Sequence, residues 1–140
     1  MLTSQQRDRL ALIADVLIPS AEGMPSASEA DVPTTWIDQA LGYRPDLADA
    51  LAAALEAAGD LAADEAVEHL NSAHIPAFEA LGTLVAGAYF LNPQIRELIG
   101  YPGQVASVPR DDTDTYVDLL MNVMERGQVY RDVPADGSPA

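Results

Sequence analysis

Leu81 to Gly103 reads LGTLVAGAYFLNPQIRELIGYPG. Leu81, Leu84, Val85 and Ala88 recur at the spacing of one helical face, and Phe78 extends that face toward the N-terminus. The spacing predicts a long helix from about Ile75 to Leu91, with Pro76 tolerated in its first turn. Gly82, Ala86 and Gly87 make part of its surface very small, so close approach of another helix is expected there. Asn92-Pro93 then opens a short helix to Leu98 or Ile99. Gly100-Tyr101-Pro102-Gly103 follows as a turn in which two glycines and a proline frame an aromatic ring.

The flanking sequence has the same helical character. Thr3 and Gln6 have capping-box spacing ahead of a helix to about Leu17, with Leu10, Ile13, Ala14 and Leu17 on one face and Leu12 and Val16 widening it. Pro19 ends it, and residues 20–31 read as a Ser/Gly/Pro-rich flexible loop. Pro33 can start a short helix through Leu41, closed by Gly42. Pro45 can start another, through Ala58, stopped by Gly59. Residues 60–72 read as a helix packing through Leu61, Val67 and Leu70. A last helix, capped near Asp112 to Asp114, runs to about Glu125 with Tyr116, Leu119, Leu120, Val123 and Met124 inward, and Gly127 stops it. No strand pattern of convincing length appears. The expectation is one all-α domain over residues 1–130 with seven helices, two of them short, and a flexible tail over 131–140.

Composition narrows the function. The chain has 140 residues, 49% of them hydrophobic, enough for one core without staples. Seven basic against 22 acidic side chains leave a net charge of −15. Phosphate backbones and anionic lipid headgroups would repel such a surface, which argues against nucleic-acid binding and electrostatic membrane docking. The absence of cysteine excludes disulfides, thiol catalysis and cysteine-bound metal. No basic leader with an apolar core is visible and no apolar run is long enough to span a bilayer, so cytoplasmic residence is expected, with export only if a partner carries the signal.

Two groups of residues are candidates for a site. Glu65, Glu68, His69, His74 and Glu79 are the nearest approach to a metal or acid–base cluster, and a small enzyme using Glu65 and His69 is one alternative function. Their spacing is not that of HExxH, and no third ligand stands at recognisable spacing. The plainer expectation is that His69 pairs with Glu65 while His74 caps or orients the next helix. The Gly100–Gly103 turn is the second candidate. It is either a rigid connection whose Tyr101 packs on its own domain or a preorganised projection that enters a partner. A tyrosine suits the latter because it buries a large ring at small entropic cost. A free-standing helical adaptor or regulator is a further alternative.

Two blocks of motif carry a family resemblance. Residues 10–41, LALIADVLIPSAEGMPSASEADVPTTWIDQAL, contain Leu17-Ile18-Pro19, then Val32-Pro33, Ile37-Asp38 and Leu41. The second block contains Ala88-Tyr89-Phe90, Asn92-Pro93 and Gly100-Tyr101-Pro102-Gly103. In this order the chain resembles the small subunit (subunit 3) family of gluconate 2-dehydrogenase and related sugar dehydrogenases. It departs from that pattern at Ala88, where the family has glycine, and in lacking a twin-arginine export signal. The resemblance implies an accessory subunit without catalytic or cofactor-binding residues of its own. It would stabilise or mature a large FAD-dependent subunit of the glucose–methanol–choline type that oxidises a sugar or other alcohol, in some complexes with a cytochrome c subunit as electron acceptor. The partner interface expected here comprises Trp36, Tyr89, Phe90, Gly100, Tyr101, Pro102 and Gly103.

Overall fold

The computed structural model describes residues 2–106 and 113–127. Among the described residues it is all-α, with seven α-helices and no strand. The helices are α1 (Ser4–Leu17), α2 (Ile37–Tyr43), α3 (Ala48–Ala58), α4 (Ala63–Ala73), α5 (Ile75–Leu91), α6 (Pro93–Leu98) and α7 (Thr113–Arg126). The chain divides into two compact units, Met1–Gln104 and Val105–Ala140. The tail expected over 131–140 lies outside the described residues.

In the first unit α5 is the central element. It packs against α2, α3, α4 and α6, while α1 packs on α4 and α3. Leu81, Leu84, Val85 and Ala88 of α5 are buried with Leu51, Leu55, Leu70, Ile13 and Ile37 in one core. The helical periodicity predicted this α5 face because burial selects one stripe of a 3.6-residue repeat. Phe78 lies at the margin of the core. The small-residue face is different: Ala86 and Gly87 are exposed, and a Cβ on Gly82 or Gly87 would meet nothing within 4 Å. The close helix contact expected there does not form among the described residues of the first unit.

Local chemistry sets the helix ends. The Thr3 amide donates to Gln6 Oε1 at 2.9 Å and Thr3 Oγ1 accepts the Gln6 amide at 3.2 Å, completing the capping box of α1. Leu12, expected to be buried, is 57% exposed. A π-helical turn, Val32–Trp36, precedes α2. Arg7 of α1 donates from Nη1 to the carbonyls of Pro33 and Thr34, at 2.8 and 2.9 Å, and from Nη2 to both Asp38 carboxylate oxygens. This one side chain therefore satisfies backbone groups of the turn and ties it to α1. Gly42 does not end α2, which continues to Tyr43. Pro45 ends it instead, because the residue before a proline is driven from helical geometry, and Arg44 sits at φ −127°. The segment from Pro45 starts as a 3₁₀ turn, Pro45–Leu47, and Gly59 stops α3 at φ +46° as expected. Helix α4 begins at Ala63, leaving Leu61 on the surface, and buries Ala66 and Leu70.

Residues 18–31 are not a free loop. Asp15 Oδ1 accepts the Ser28 amide at 2.7 Å, and its other oxygen accepts the Ser28 hydroxyl. The Ile18 carbonyl accepts the Ala27 amide at 3.0 Å, and Ala27 and Ala30 are buried in the core. Asp31 takes a left-handed conformation, φ 59°, and its carbonyl accepts the amides of Thr35 and Trp36.

In the second unit, α7 ends at Gly127, whose φ is +69°. The five side chains expected to face inward, Tyr116, Leu119, Leu120, Val123 and Met124, are all exposed. That inward assignment is corrected: the apolar stripe is real, but no residue of α7 is buried.

Candidate functional site

Helices α5 and α6 and the turn after them build the candidate site. The α5–α6 junction is locked by Asn92, which is buried. Its Oδ1 accepts the Gln94 amide at 2.9 Å, capping α6, and its Nδ2 donates to the Ala30 carbonyl at 3.1 Å. One turn later α6 closes in a Schellman motif. The Gly100 amide donates to the Glu97 carbonyl at 2.9 Å and the Tyr101 amide to the Arg96 carbonyl at 2.8 Å. That motif needs a left-handed residue at Gly100, whose φ is +68°, and Gly103 turns the chain again at +85°.

Tyr101 emerges from this turn 51% exposed. With Pro93, Arg96, Glu97, Gly100 and Pro102 it lines an open concavity of about 470 Å³. Leu98 and Ile99 are exposed on the same helix end. Pro93, Arg96 and Glu97 were not singled out from the sequence. Their signal is the i, i+3, i+4 spacing that sets them on one face of α6 below the turn.

The expected interface residues separate into three places. Gly100, Tyr101 and Pro102 share the concavity, and Gly103 follows directly. Phe90 is half-exposed on α5. Trp36 sits partly buried on the π-helical turn, packed on the core and outside the lining of the concavity. Tyr89 is corrected from surface anchor to core residue. It is 3% exposed, its hydroxyl donates to the Pro25 carbonyl at 2.7 Å, and its ring meets Phe90 edge-to-face at 5.5 Å. Burial, and then the Glu29 carboxylate, push its phenol above the ordinary value, so it stays a donor. Tyr89 and Asn92 together fasten residues 25–30 to α5.

The acid–base candidates do not converge. His69 and His74 lie edge-to-face with ring centroids 5.1 Å apart, and both are exposed. His69 makes no ion pair with Glu65; the described ion pairs are Arg7–Asp38 and Arg44–Asp46. His74 sits at the α4–α5 junction through its backbone, its amide donating to the Leu70 carbonyl and its carbonyl accepting the Phe78 amide. Among the described residues no group of three or more His, Asp or Glu side chains is placed to hold a metal ion.

A second concavity, about 580 Å³, lies between α1 and α3. Leu12, Ala52 and Leu55 form its apolar part, and Asp8, Arg9, Glu56 and Asp60 stand around them. Arg9 Nη2 donates to the Ala58 carbonyl at the end of α3, 3.0 Å away, where a cation also suits the helix dipole. Exposed Leu12, which the widened face of α1 had placed inside, lines this groove.

No helix among the described residues is long and apolar enough to cross a membrane. Comparison of the chain with protein-family profiles, curated proteins and solved structures finds no match.

Proposed function

We propose that this chain is a non-catalytic accessory subunit that stabilises or matures a large FAD-dependent sugar or alcohol dehydrogenase of the glucose–methanol–choline type. The observation that carries a docking role is the Schellman-locked turn at the end of α6, which holds Tyr101 half-exposed beside an open concavity. A preorganised aromatic loses little entropy on entering a partner's pocket. The choice of partner rests on the ordered motifs Leu17-Ile18-Pro19, Val32-Pro33, Tyr89-Phe90 and Gly100–Gly103, which resemble those of the gluconate 2-dehydrogenase small subunit. In this reading FAD belongs to the large subunit, electrons pass from there to a cytochrome c or another acceptor, and the pair works in the cytoplasm or is exported on the large subunit's signal. The interface centres on Tyr101, with Gly100, Pro102 and Gly103 in the same turn, and Phe90 and Trp36 as separate contacts.

Co-expression with a flavoprotein dehydrogenase encoded beside this chain, followed by size exclusion monitored at the flavin absorbance, tests the reading. The two chains are expected to comigrate at micromolar concentration, and separate elution would refute it. Tyr101→Ala is expected to weaken the complex by about tenfold or more, the scale of a central aromatic anchor. An unchanged complex would remove Tyr101 from the interface.

A further inference from the structure

The chain has two histidines, and the fold brings them together. His69 lies in α4, and His74 is the residue between α4 and α5. In a continuous helix, residues five apart stand about 140° apart around the axis, on different faces. His74 leaves helical geometry, at φ −133° and ψ 45°, and the corner it makes sets its ring against that of His69. The ring centroids are 5.1 Å apart, with the planes at 63°. The Ser72 hydroxyl bonds the His69 backbone carbonyl, not its ring. Among the described residues neither imidazole has a hydrogen-bond or ion-pair partner.

That separation is the one a shared metal ion requires. A metal–imidazole nitrogen bond of about 2.0–2.1 Å sets each ring centroid about 3.2 Å from the ion, so two imidazoles at a ligand angle of about 90–110° have centroids about 4.5–5.2 Å apart. An imidazole centroid lies close to its Cβ–Cγ axis, and rotation about that bond is soft. Both rings can therefore aim a nitrogen at a common point without changing the spacing that the backbone has set. Ca2+ and Mg2+ take oxygen ligands, whereas imidazole suits Cu2+, Ni2+ and Zn2+. The net charge of −15 draws cations of every kind, so selection lies with the rings. No third His, Asp or Glu side chain joins the pair among the described residues, so this is not the closed four-ligand shell of a structural zinc site.

We propose that His69 and His74 form a bidentate surface site for an imidazole-seeking divalent transition-metal ion, Cu2+ ahead of Zn2+, with water in the remaining positions. The order of the two ions follows their general preference for nitrogen ligands. One ligand belongs to α4 and the other leads into α5, so the ion clasps the corner between the two helices and stabilises the folded chain. The site stands independently of the accessory-subunit reading.

The test titrates the full chain, stripped of metal by a chelator, with CuCl2 and with ZnCl2 at neutral pH by calorimetry. Electron paramagnetic resonance then reads the ligands of Cu2+. One tightest ion per chain is expected, bound more tightly as Cu2+ than as Zn2+, indifferent to excess Mg2+, and split by two nitrogen ligands. His69→Gln and His74→Gln are each expected to weaken binding at least about tenfold and to leave one nitrogen. Cu2+ is expected to raise the melting temperature of the wild type more than that of either variant. Both side chains are exposed, so circular dichroism is expected to show an unchanged fold in the variants; the nitrogen count in the wild type decides if one of them loses helix. Equal binding in the wild type and both variants would put the ion on carboxylates or the N-terminal amine and overturn the site. Weakening in one variant alone would overturn the shared chelate in favour of a single-histidine contact. Absence of bound Cu2+ at micromolar concentration would overturn it outright.

Discussion

Asn92 serves two segments with one amide group. Its oxygen caps α6 and its nitrogen holds the Ala30 carbonyl in a buried bond that water does not readily replace. Asn92→Ala is therefore expected to cost about 1–3 kcal/mol in urea unfolding, more than loss of an exposed cap alone. Asp15 acts similarly on the other side of the 18–31 segment. Burial raises its pKa, but the Ser28 hydroxyl and amide and the Ser26 hydroxyl together outweigh burial and hold the carboxyl below its ordinary 3.8. The folded state thus favours the carboxylate. That contribution is complete above the ordinary value and is lost as pH falls through the lowered folded one. In urea melts at successive pH values, the stability gap between wild type and Asp15→Asn is expected to be constant near neutrality and to narrow below about pH 4. A gap that widens on acidification would contradict this sign. Neither role was legible in the sequence. Asn-Pro and a lone Asp on a helix are common, and their partners lie 62 and 13 residues away.

At the scale of the element, α5 shows what periodicity can and cannot predict. Its buried face and both its ends were readable, since the stripe repeats every 3.6 residues and Asn92-Pro93 marks the stop. The use of its other face was not. Gly82 and Gly87 suggested a close helix partner, whereas a Cβ at either would meet nothing within 4 Å. Gly87→Ala is then expected to stabilise the protein by about 0.5–1 kcal/mol, since alanine loses less backbone entropy in a helix and meets no obstacle. Destabilisation, read as a lower urea midpoint, would mean that a helix does approach there. Glycine spacing reports only that approach is permitted. The turn at Gly100 was more readable, because a left-handed closure after a short helix is a local demand that glycine meets at no steric cost.

At the scale of the whole molecule, the core of the first unit draws its buried residues from Leu10 to Ile95. Truncation after Gln104 is expected to leave the unfolding free energy of the remaining unit within about 0.5 kcal/mol of the full chain, because the core of that unit is built from residues within it. A larger loss, seen in thermal or urea melts followed by circular dichroism, would show that the two units share their stability. The all-α character and most of the helix order follow from the sequence alone. Alanine- and leucine-rich stripes, proline starts and glycine stops are local preferences that each segment carries with it. The turn that presents Tyr101 is local in the same sense. Tertiary structure decided which apolar stripes find a core and which stay open. Tyr89 turns inward because the Pro25 carbonyl lies within reach of its hydroxyl, and Leu12 stays outside the core although it widens the apolar face of α1. Periodicity states that a face is apolar; only the arrangement of the other helices determines whether anything in the same chain covers it.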